Sequence, residues 1–397
     1  MAFSIDKIHY TKSKITGDDI YPGIKARVQR YFAGSGQNRF ADNRIWFKAS
    51  ALLLIATGCY FIALTTGSQL SVFILYPLSF WFLLLLGFNI GHDAAHGCLT
   101  GNKKKDAFLF ASSFVLLGAN PYLWKIRHIH SHHPYPNVEG CDADMELTGL
   151  FRFTHSQPHR KIHRYQQYYA PLLYSTYTLY WIFYKDFMLF ARRQQVNIHF
   201  INHSPKEWVR LFVYKLIYLF LFIGLPIIIQ PKLTAAFIFA FLLSHFINSL
   251  FLLFTFLMSH HVPQTGFHAA IHNDTIPHSW AMQQVMSSAD FHADKKWAYW
   301  LFGGFNAHVA HHLFPGICHI HYRAITQIIK RQLFIRSVPY HSFTWWQGVK
   351  FHFQLLKQMG LPAEALAKAG GPKKKNCNTC KLGPSCKNNL KTGALCK

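Results

Sequence analysis

Four apolar stretches, arranged as two close pairs, set the tightest limit on how this 397-residue chain can fold. A helix that crosses a bilayer needs about 20 consecutive apolar residues. Trp46 to Thr66 reaches that length with Lys48 as its only charge, and Ser71 to Ile90 carries none. Only Gly67-Ser68-Gln69-Leu70 separates them, which predicts a helical hairpin. Leu211 to Ile229 holds Lys215 near one end, where its long stem can reach toward headgroups, and Pro226 near the other. Leu233 to Met258 follows after Gln230-Pro231-Lys232. The expected fold class is an all-α integral membrane protein, with four transmembrane helices in two hairpins.

Basic residues orient the spans. Of the 41 Lys and Arg, the two tight turns hold one, Lys232. Positive residues favour the cytosolic side, so both termini and both large polar segments are expected there. Hydrophobic residues make up 51% of the chain and charged ones 14%, against about 25% in ordinary soluble domains. That balance excludes a disordered chain, while a mean hydropathy of +0.08 is too low for a bundle lying wholly in lipid. The net charge of +25 allows nucleic acid as a partner. Beside so much apolar surface it fits an anionic membrane face better, and no nucleic acid is expected.

These boundaries divide the chain into a cytosolic N-terminal arm (1–45), a first hairpin (46–90), a cytosolic segment (91–210), a second hairpin (211–258), a further cytosolic segment (259–368) and a tail (369–397). Two weaker apolar stretches are read as helices lying in the interface. Phe108 to Leu123 is short for a span, and Tyr168 to Tyr184 is interrupted by Pro171 and rich in Tyr. Polar, charged residues from Met1 to Phe32 argue against a cleavable signal peptide. Cys59, Cys98, Cys141 and Cys318 are scattered, as suits a reducing compartment. Cys377, Cys380, Cys386 and Cys396 crowd a Lys- and Asn-rich tail that is expected to be disordered, and their spacing matches no zinc or iron–sulfur pattern.

Histidine is the second anomaly: 26 residues, against 16 Asp and Glu combined. His92 and His96 follow the second span at i and i+4, so an α-helix projects both from one face. In Trp124…His128-Ile129-His130-Ser131-His132-His133-Pro134, His128 and His132 share a face and His133 sits a little round from it. His308, His311 and His312 repeat the i, i+3, i+4 pattern before Pro315. A lone histidine is usually a surface or core residue, and a lone His-x3-His pair usually chance. Three clusters in segments all expected on one membrane face point to metal. Neutral imidazole suits iron, zinc and copper, and eight imidazoles exceed what one ion needs, which points to a dinuclear site. The clusters themselves contain no Cys or Glu, unlike zinc–thiolate or carboxylate-bridged centres.

The three clusters resemble the histidine boxes of the membrane fatty acid desaturase and hydroxylase family, over Trp46 to Arg323. The run from His132 through Pro134-Tyr135-Pro136-Asn137-Val138-Glu139-Gly140-Cys141-Asp142-Ala143-Asp144 is similar to the second-box region of bacterial acyl-CoA (linoleoyl-CoA-type) and front-end desaturases. So are Gly303-Gly304-Phe305-Asn306 and His311-His312-Leu313-Phe314-Pro315 around the third box. Front-end members usually carry Gln where His308 stands, which is a departure.

The resemblance implies a two-iron centre held by eight or nine histidines: His92, His96, His128, His132, His133, His308, His311 and His312, with His260 favoured over His261 as the ninth. No further catalytic residue is expected. It implies O2 as co-substrate, a fatty acyl-CoA or acyl-lipid substrate among membrane lipids, and insertion of a cis double bond. Asp93, Glu139, Asp142 and Asp144 are expected to orient ligand imidazoles. His130, His278, His292, His319 and His321 are read as surface or supporting groups. His245 and Asn248, inside the fourth span, are expected either to join helices by hydrogen bonds or to line an acyl tunnel. With no dinucleotide fingerprint and no cytochrome b5 haem motif, two electrons must come from a separate ferredoxin or cytochrome b5-type donor. The alternatives are a lipid hydroxylase or sphingolipid desaturase on the same scaffold and, more remotely, a non-enzymatic haem- or metal-binding membrane protein.

Overall fold

The computed structural model describes residues 2–5, 8–10, 20–145, 149–268 and 275–362. Helices dominate. The first, α1 (Tyr21–Ser35), lies within the expected N-terminal arm, with Pro22 in its opening turn. It is followed by α2 (Asn43–Thr65), started by Asp42, whose side chain accepts the Arg44 N–H, and by α3 (Gln69–Leu86), capped by Ser68. A π-helical turn, Gly87–Gly91, carries α3 on into His92–Ala95. After a short loop come α4 (Lys103–Leu116) and α5 (Pro121–Arg127), the latter continued by a second π turn, His128–His132. Next are α6 (Gln166–Ser175), α7 (Pro205–Leu219) and the long α8 (Thr234–His260). The chain closes with α9 (Trp280–Met286), α10 (Lys296–Phe302), α11 (His308–Leu313), α12 (Tyr322–Ile335) and α13 (Trp345–Met359).

Four helical runs are long and apolar enough to cross a membrane: Asn43–Thr65, Gln69–Ala95, Pro205–Ile229 and Pro231–His260. They coincide with the four stretches read from the sequence. The second runs five residues beyond Ile90, because the π turn keeps the backbone hydrogen-bonded into the first histidine cluster. Phe47, Leu54 and Phe61 on α2 recur every seventh residue on one face and are 76%, 70% and 61% exposed, as a lipid-facing stripe requires. The other face of α2 buries Ala56, Ala63 and Leu64 against Val72, Tyr76 and Phe80 of α3. Phe237 and Phe241 of α8 close on the same cluster, with Tyr76–Phe237 and Phe80–Phe241 ring centroids 5.5 and 5.9 Å apart.

The weaker apolar stretches are not single helices. Phe108 to Leu123 is split between α4 and α5, which bend by 109° at Leu117–Asn120. The Asn120 side chain caps α5 and Pro121 starts it, so the break is written in two adjacent residues. Tyr168 to Tyr184 is likewise broken, into α6, a turn of helix at Tyr177–Tyr180 and a π turn at Trp181–Lys185.

Several polar groups inside the spanning runs find partners on other elements. His245 takes the Tyr218 hydroxyl at Nε2 (2.8 Å) and the Thr178 hydroxyl at Nδ1 (2.9 Å). Asn248 donates to the Phe80 carbonyl (2.9 Å), tying α8 to α3. Both are helix-to-helix hydrogen bonds, the first of the two expected roles. Lys215 lies 2.6 Å from Asp186 and donates to the Gly118 carbonyl at 2.6 Å, while Asp186 also accepts the Asn120 N–H and the Trp181 indole N–H, each at 2.9 Å.

Outside the spans, Ile24 and Val28 of α1 pack one turn apart on Ile325, Ile329 and Leu333 of α12, so this part of the N-terminal segment is built into a core. Short strands staple the loops. Ala2–Ile5 runs antiparallel to Ile198–Asn202, His9–Tyr10 parallel to Thr275–Ile276, and Asp290–Phe291 parallel to Ser342–Phe343. The Cys-containing tail lies outside the described residues.

Candidate metal centre

Each histidine cluster sits where a helix is forced out of regular α geometry or abruptly ended. The π turns at Gly87–Gly91 and His128–His132 close i→i+5 hydrogen bonds, one residue more than an α-turn. The third cluster rides on α11, entered through Gly303 and Gly304. These two glycines have φ of 58° and 86°, where a side chain is strained. A Cβ on Gly303 would stand 2.7 Å from the Phe88 carbonyl oxygen, and one on Gly304 would stand 2.5 Å from Cβ of His319. The pair therefore lets α11 close onto the first π turn.

The imidazoles assemble into two nests. His92, His96, His128 and His311 form one, and His132, His260, His308 and His312 the other; within each, one ring nitrogen per residue lies within 4.8 Å of the rest. His128 and His132 share a face as expected, their rings stacked with centroids 5.4 Å apart, and from that face each serves a different nest. On α11, His311 likewise joins the first nest while His308 and His312 join the second. His133 lies between the two, its ring 4.7 Å from His96, 4.6 Å from His311 and 4.7 Å from His312. His260, from the end of α8, meets His308 at 2.7 Å and His312 at 3.1 Å between Nε2 atoms. His261 turns away and packs tilted against Phe153, with ring centroids 4.6 Å apart.

Several of the outer ring nitrogens are engaged by a further layer. Asp142 accepts from His132 Nδ1 at 3.1 Å, and Asp144 lies 3.7 Å from the same atom. Gln284 Oε1 accepts from His312 Nδ1 (2.9 Å), the Ser287 carbonyl from His260 Nδ1 (2.9 Å), and the Tyr322 hydroxyl meets His311 Nδ1 at 3.3 Å. Asp93 is 3.8 Å from His92 Nδ1 and accepts both the ring and backbone N–H of His319, at 2.8 and 3.0 Å. Glu139 departs from its expected role: it accepts hydroxyls from Thr154 and Ser156, away from any box. Asn137, named in the second-box run but given no role there, and Asp290, unnoticed in the sequence, hold the frame. Asn137 donates to the His260 carbonyl (2.9 Å), and Asp290 accepts the Val309 N–H beside His308 (2.9 Å). Gln284, Ser287 and Asp290 lie in no motif, so nothing local marked them.

Electrostatics and unmet bonding both ask for a cation. Burial, then the neighbouring imidazoles, hold His133, His308, His311 and His312 well below the usual imidazole range, so they are neutral near pH 7. Nε2 of His92, His96 and His311 is buried without a hydrogen-bond partner. Nε2 atoms also face one another across the nests, where two neutral rings offer at most one proton per pair. Buried polar atoms left so are costly, and a cation at the focus of each nest satisfies them. An all-imidazole donor set suits iron, copper or zinc.

Fold and site together define a helical protein with four helices able to cross a membrane and a buried double nest of imidazoles suited to metal. Comparison with known proteins gives the class a name. The model of the family described as fatty acid desaturase matches residues 68–344, so the chain belongs to the fatty acid desaturase family, and it is an oxidoreductase that desaturates fatty acyl chains. It is 29% identical over 350 residues, 87% of this chain and 72% of the other, to an acyl-lipid (8-3)-desaturase of Physcomitrium patens. An sn-1 linoleoyl-lipid 6-desaturase of Synechocystis sp. is 27% identical over 346 residues, 85% of this chain and 94% of that one. Another of that name, from Arthrospira platensis, is 32% identical over 289 residues, 71% and 76% of the two chains. All three are named for acyl-lipid substrates rather than acyl-CoA.

Proposed function

We propose that this protein inserts a cis double bond into the acyl chain of a membrane lipid, using O2 and two iron ions held by His92, His96, His128, His132, His133, His260, His308, His311 and His312. The observation that carries the proposal is the division of three boxes plus His260 into two adjoining four-imidazole nests, with His133 between them. Bound iron supplies the oxidising power to remove two vicinal hydrogens from an unactivated chain, O2 leaving as two waters with two further electrons and two protons.

The chain's own residues set up that chemistry. Asp142, Gln284 and the Ser287 carbonyl engage the Nδ1 atoms of His132, His312 and His260, which leaves each Nε2 turned inward. Phe305 lies against His92, ring centroids 4.4 Å apart, and with Phe88 and Phe256 it keeps bulk water from that side of the nests. The substrate chain threads between apolar side chains at the inner ends of the spans. Two hairpins, 46–90 and 211–258, carry a cytosolic cap made of 91–210 and 259–368, with both termini and the centre on the cytosolic side; the placement of the basic residues supports this. A separate ferredoxin or cytochrome b5-type protein delivers the electrons, and the net charge of +25 suits an acidic donor. The names of the relatives favour an acyl-lipid carrier over the acyl-CoA ester suggested by the flanking motifs.

Expression in a host that lacks the product, followed by mass spectrometry of its lipids, tests the reading. New double bonds on glycerolipid chains are expected. Hydroxylated chains or desaturated sphingolipid would replace it with the alternative chemistry, and a strong Soret band or one metal per chain would remove it.

A further inference from the structure

A second concave site lies behind the first nest. A cavity of ≈ 430 Å³ opens between the start of α2, α10 and the turn into α12, within the roughly 300–1,000 Å³ range of small-molecule sites. Arg44, Lys48, Lys296 and Arg323 line it, and no carboxylate does. The acids nearest its rim are already engaged: Asp42 with Arg44 at 2.6 Å, and Asp294 with Lys330 at 2.8 Å. Among the described residues, Lys48, Lys296 and Arg323 have no carboxylate within 4.0 Å.

Lys48 is the unusual member. It is 7% exposed on a helix that begins a spanning run, where a cation without a counter-ion is costly. Its ammonium carries three donors. One goes to the Asn89 side-chain oxygen in the first π turn, and the Trp300 ring lies 4.9 Å below the charge. Neither partner is an anion, and Asp93, the buried carboxylate that acts on Lys48 from a distance, is held by the ring and backbone N–H of His319, so an anion in the cavity would be the first to touch the ammonium directly. The wall is also partly apolar, with Ile45 and Trp300 facing the same space. Just beside it, Trp46 and Phe47 stand exposed on the lipid stripe of α2. The back wall is His319, which Asp93 links to His92.

We propose that this cavity seats the phosphate of an anionic glycerophospholipid headgroup, with Lys48 as its inner contact and Lys296 and Arg323 at the rim. A soluble phosphate or a CoA phosphate shares the anionic chemistry. The position at the head of a lipid-facing helix, and the mixed apolar and cationic wall, favour a ligand that is part of the bilayer. That this lipid is also the substrate, its headgroup fixed one wall away from the metal nests, rests on the function proposed above.

The test uses the full-length, iron-loaded protein in vesicles of phosphatidylcholine with or without phosphatidylglycerol. Retained phosphatidylglycerol per chain is counted by mass spectrometry, with inorganic phosphate and free CoA as competitors. Retention by the wild type is expected, with a loss of about ten-fold or more in Lys48→Met. Lys357→Gln, a remote charge removal on α13, should retain the lipid as the wild type does. Arg323→Gln, on the exposed rim, should weaken retention by a smaller factor; it decides the matter if Lys48→Met fails to fold. Equal retention in the wild type and both cavity variants overturns the proposal, as does complete displacement by inorganic phosphate or CoA at concentrations that leave the vesicles intact. In turnover with phosphatidylglycerol substrate, KM should rise in Arg323→Gln while kcat and iron content hold; an unchanged KM overturns the link to substrate. A wild type that retains the lipid yet forms no double bond would sink the functional reading and leave the headgroup site standing.

Discussion

Two buried polar regions of this molecule, the imidazole nests and the polar groups within the spans, solve the same problem in opposite ways. In the spans, His245, Asn248 and the Lys215–Asp186 pair each find hydrogen-bond partners from another helix. In the nests, Nδ1 of His132, His260 and His312 is tied down while Nε2 of His92, His96 and His311 is left without a partner. The first pattern serves to join helices. The second gathers open ring nitrogens around two points, an arrangement compatible with metal. Burial alone does not separate a structural histidine from a functional one; the direction of its unmet bond does.

The sharpest way to break this contrast is to remove one imidazole from each nest. His132→Ala and His311→Ala should each bring product below detection and lower the iron bound per chain; normal turnover in either would end the ligand assignment. Acid should act next most strongly, on the metal-free protein. Its buried imidazoles His133, His308, His311 and His312 resist protonation, whereas the unfolded chain takes up protons below about pH 6.5. Stability is therefore fully present above that pH and falls as the pH is lowered through it. Melting curves from about pH 7.5 to 5.5 should show Tm falling with acid, because these four outweigh His132, which, against the lowering by burial, Asp142 holds up at about 9 and which acts in the opposite sense; a flat profile would mean that the four are not neutral.

On the other side of the comparison, Asp186→Asn leaves Lys215 buried without its anion and should cost about 3–5 kcal/mol. Iron per folded chain should not change, and a parallel loss of iron would erase the distinction between the regions. Asp142→Asn keeps the shape but weakens the hold on His132, and iron affinity measured by competition with a chelator should fall about 10- to 100-fold. The smallest effect is expected for His245→Phe, about 1–2 kcal/mol in denaturation with the product unaltered. A shifted double-bond position in that variant would make His245 part of the acyl path instead.

Much of this was legible in the sequence, and what was not has a local cause. The spans were readable because twenty apolar residues without charge leave a chain few options, and their ends fall within a few residues of the helices. Eight of the histidines were readable as a set from spacing and from the expected membrane face, and His260 entered only through the family resemblance. Their division was not, because it depends on what packs opposite each ring: His128 meets His92 and His311, while His132, on the same face, meets His260 and His312. Gln284, Ser287 and Asp290 reach the nests through tertiary packing that no short motif encodes. The break at Asn120-Pro121 was visible as a cap followed by a helix-starting proline, but hydrophobicity across it disguised two helices as one.

The π turn before His92 has a meaning for sequence length. It amounts to a single residue added to a helix that would otherwise run straight through from α3. Deleting one residue there, for instance Ile90, would let the helix relax to ordinary α geometry and remove a local irregularity. Because the π turn sets His92 over Gly87 with one residue more than an α-turn would use, that deletion would keep the phase of His92 and His96, whereas deleting one residue from the regular part of α3 would rotate both by about 100°. The widened turn therefore acts as a local slack in the helix, a place where chain length can change by one residue without turning the histidine face away from its partners.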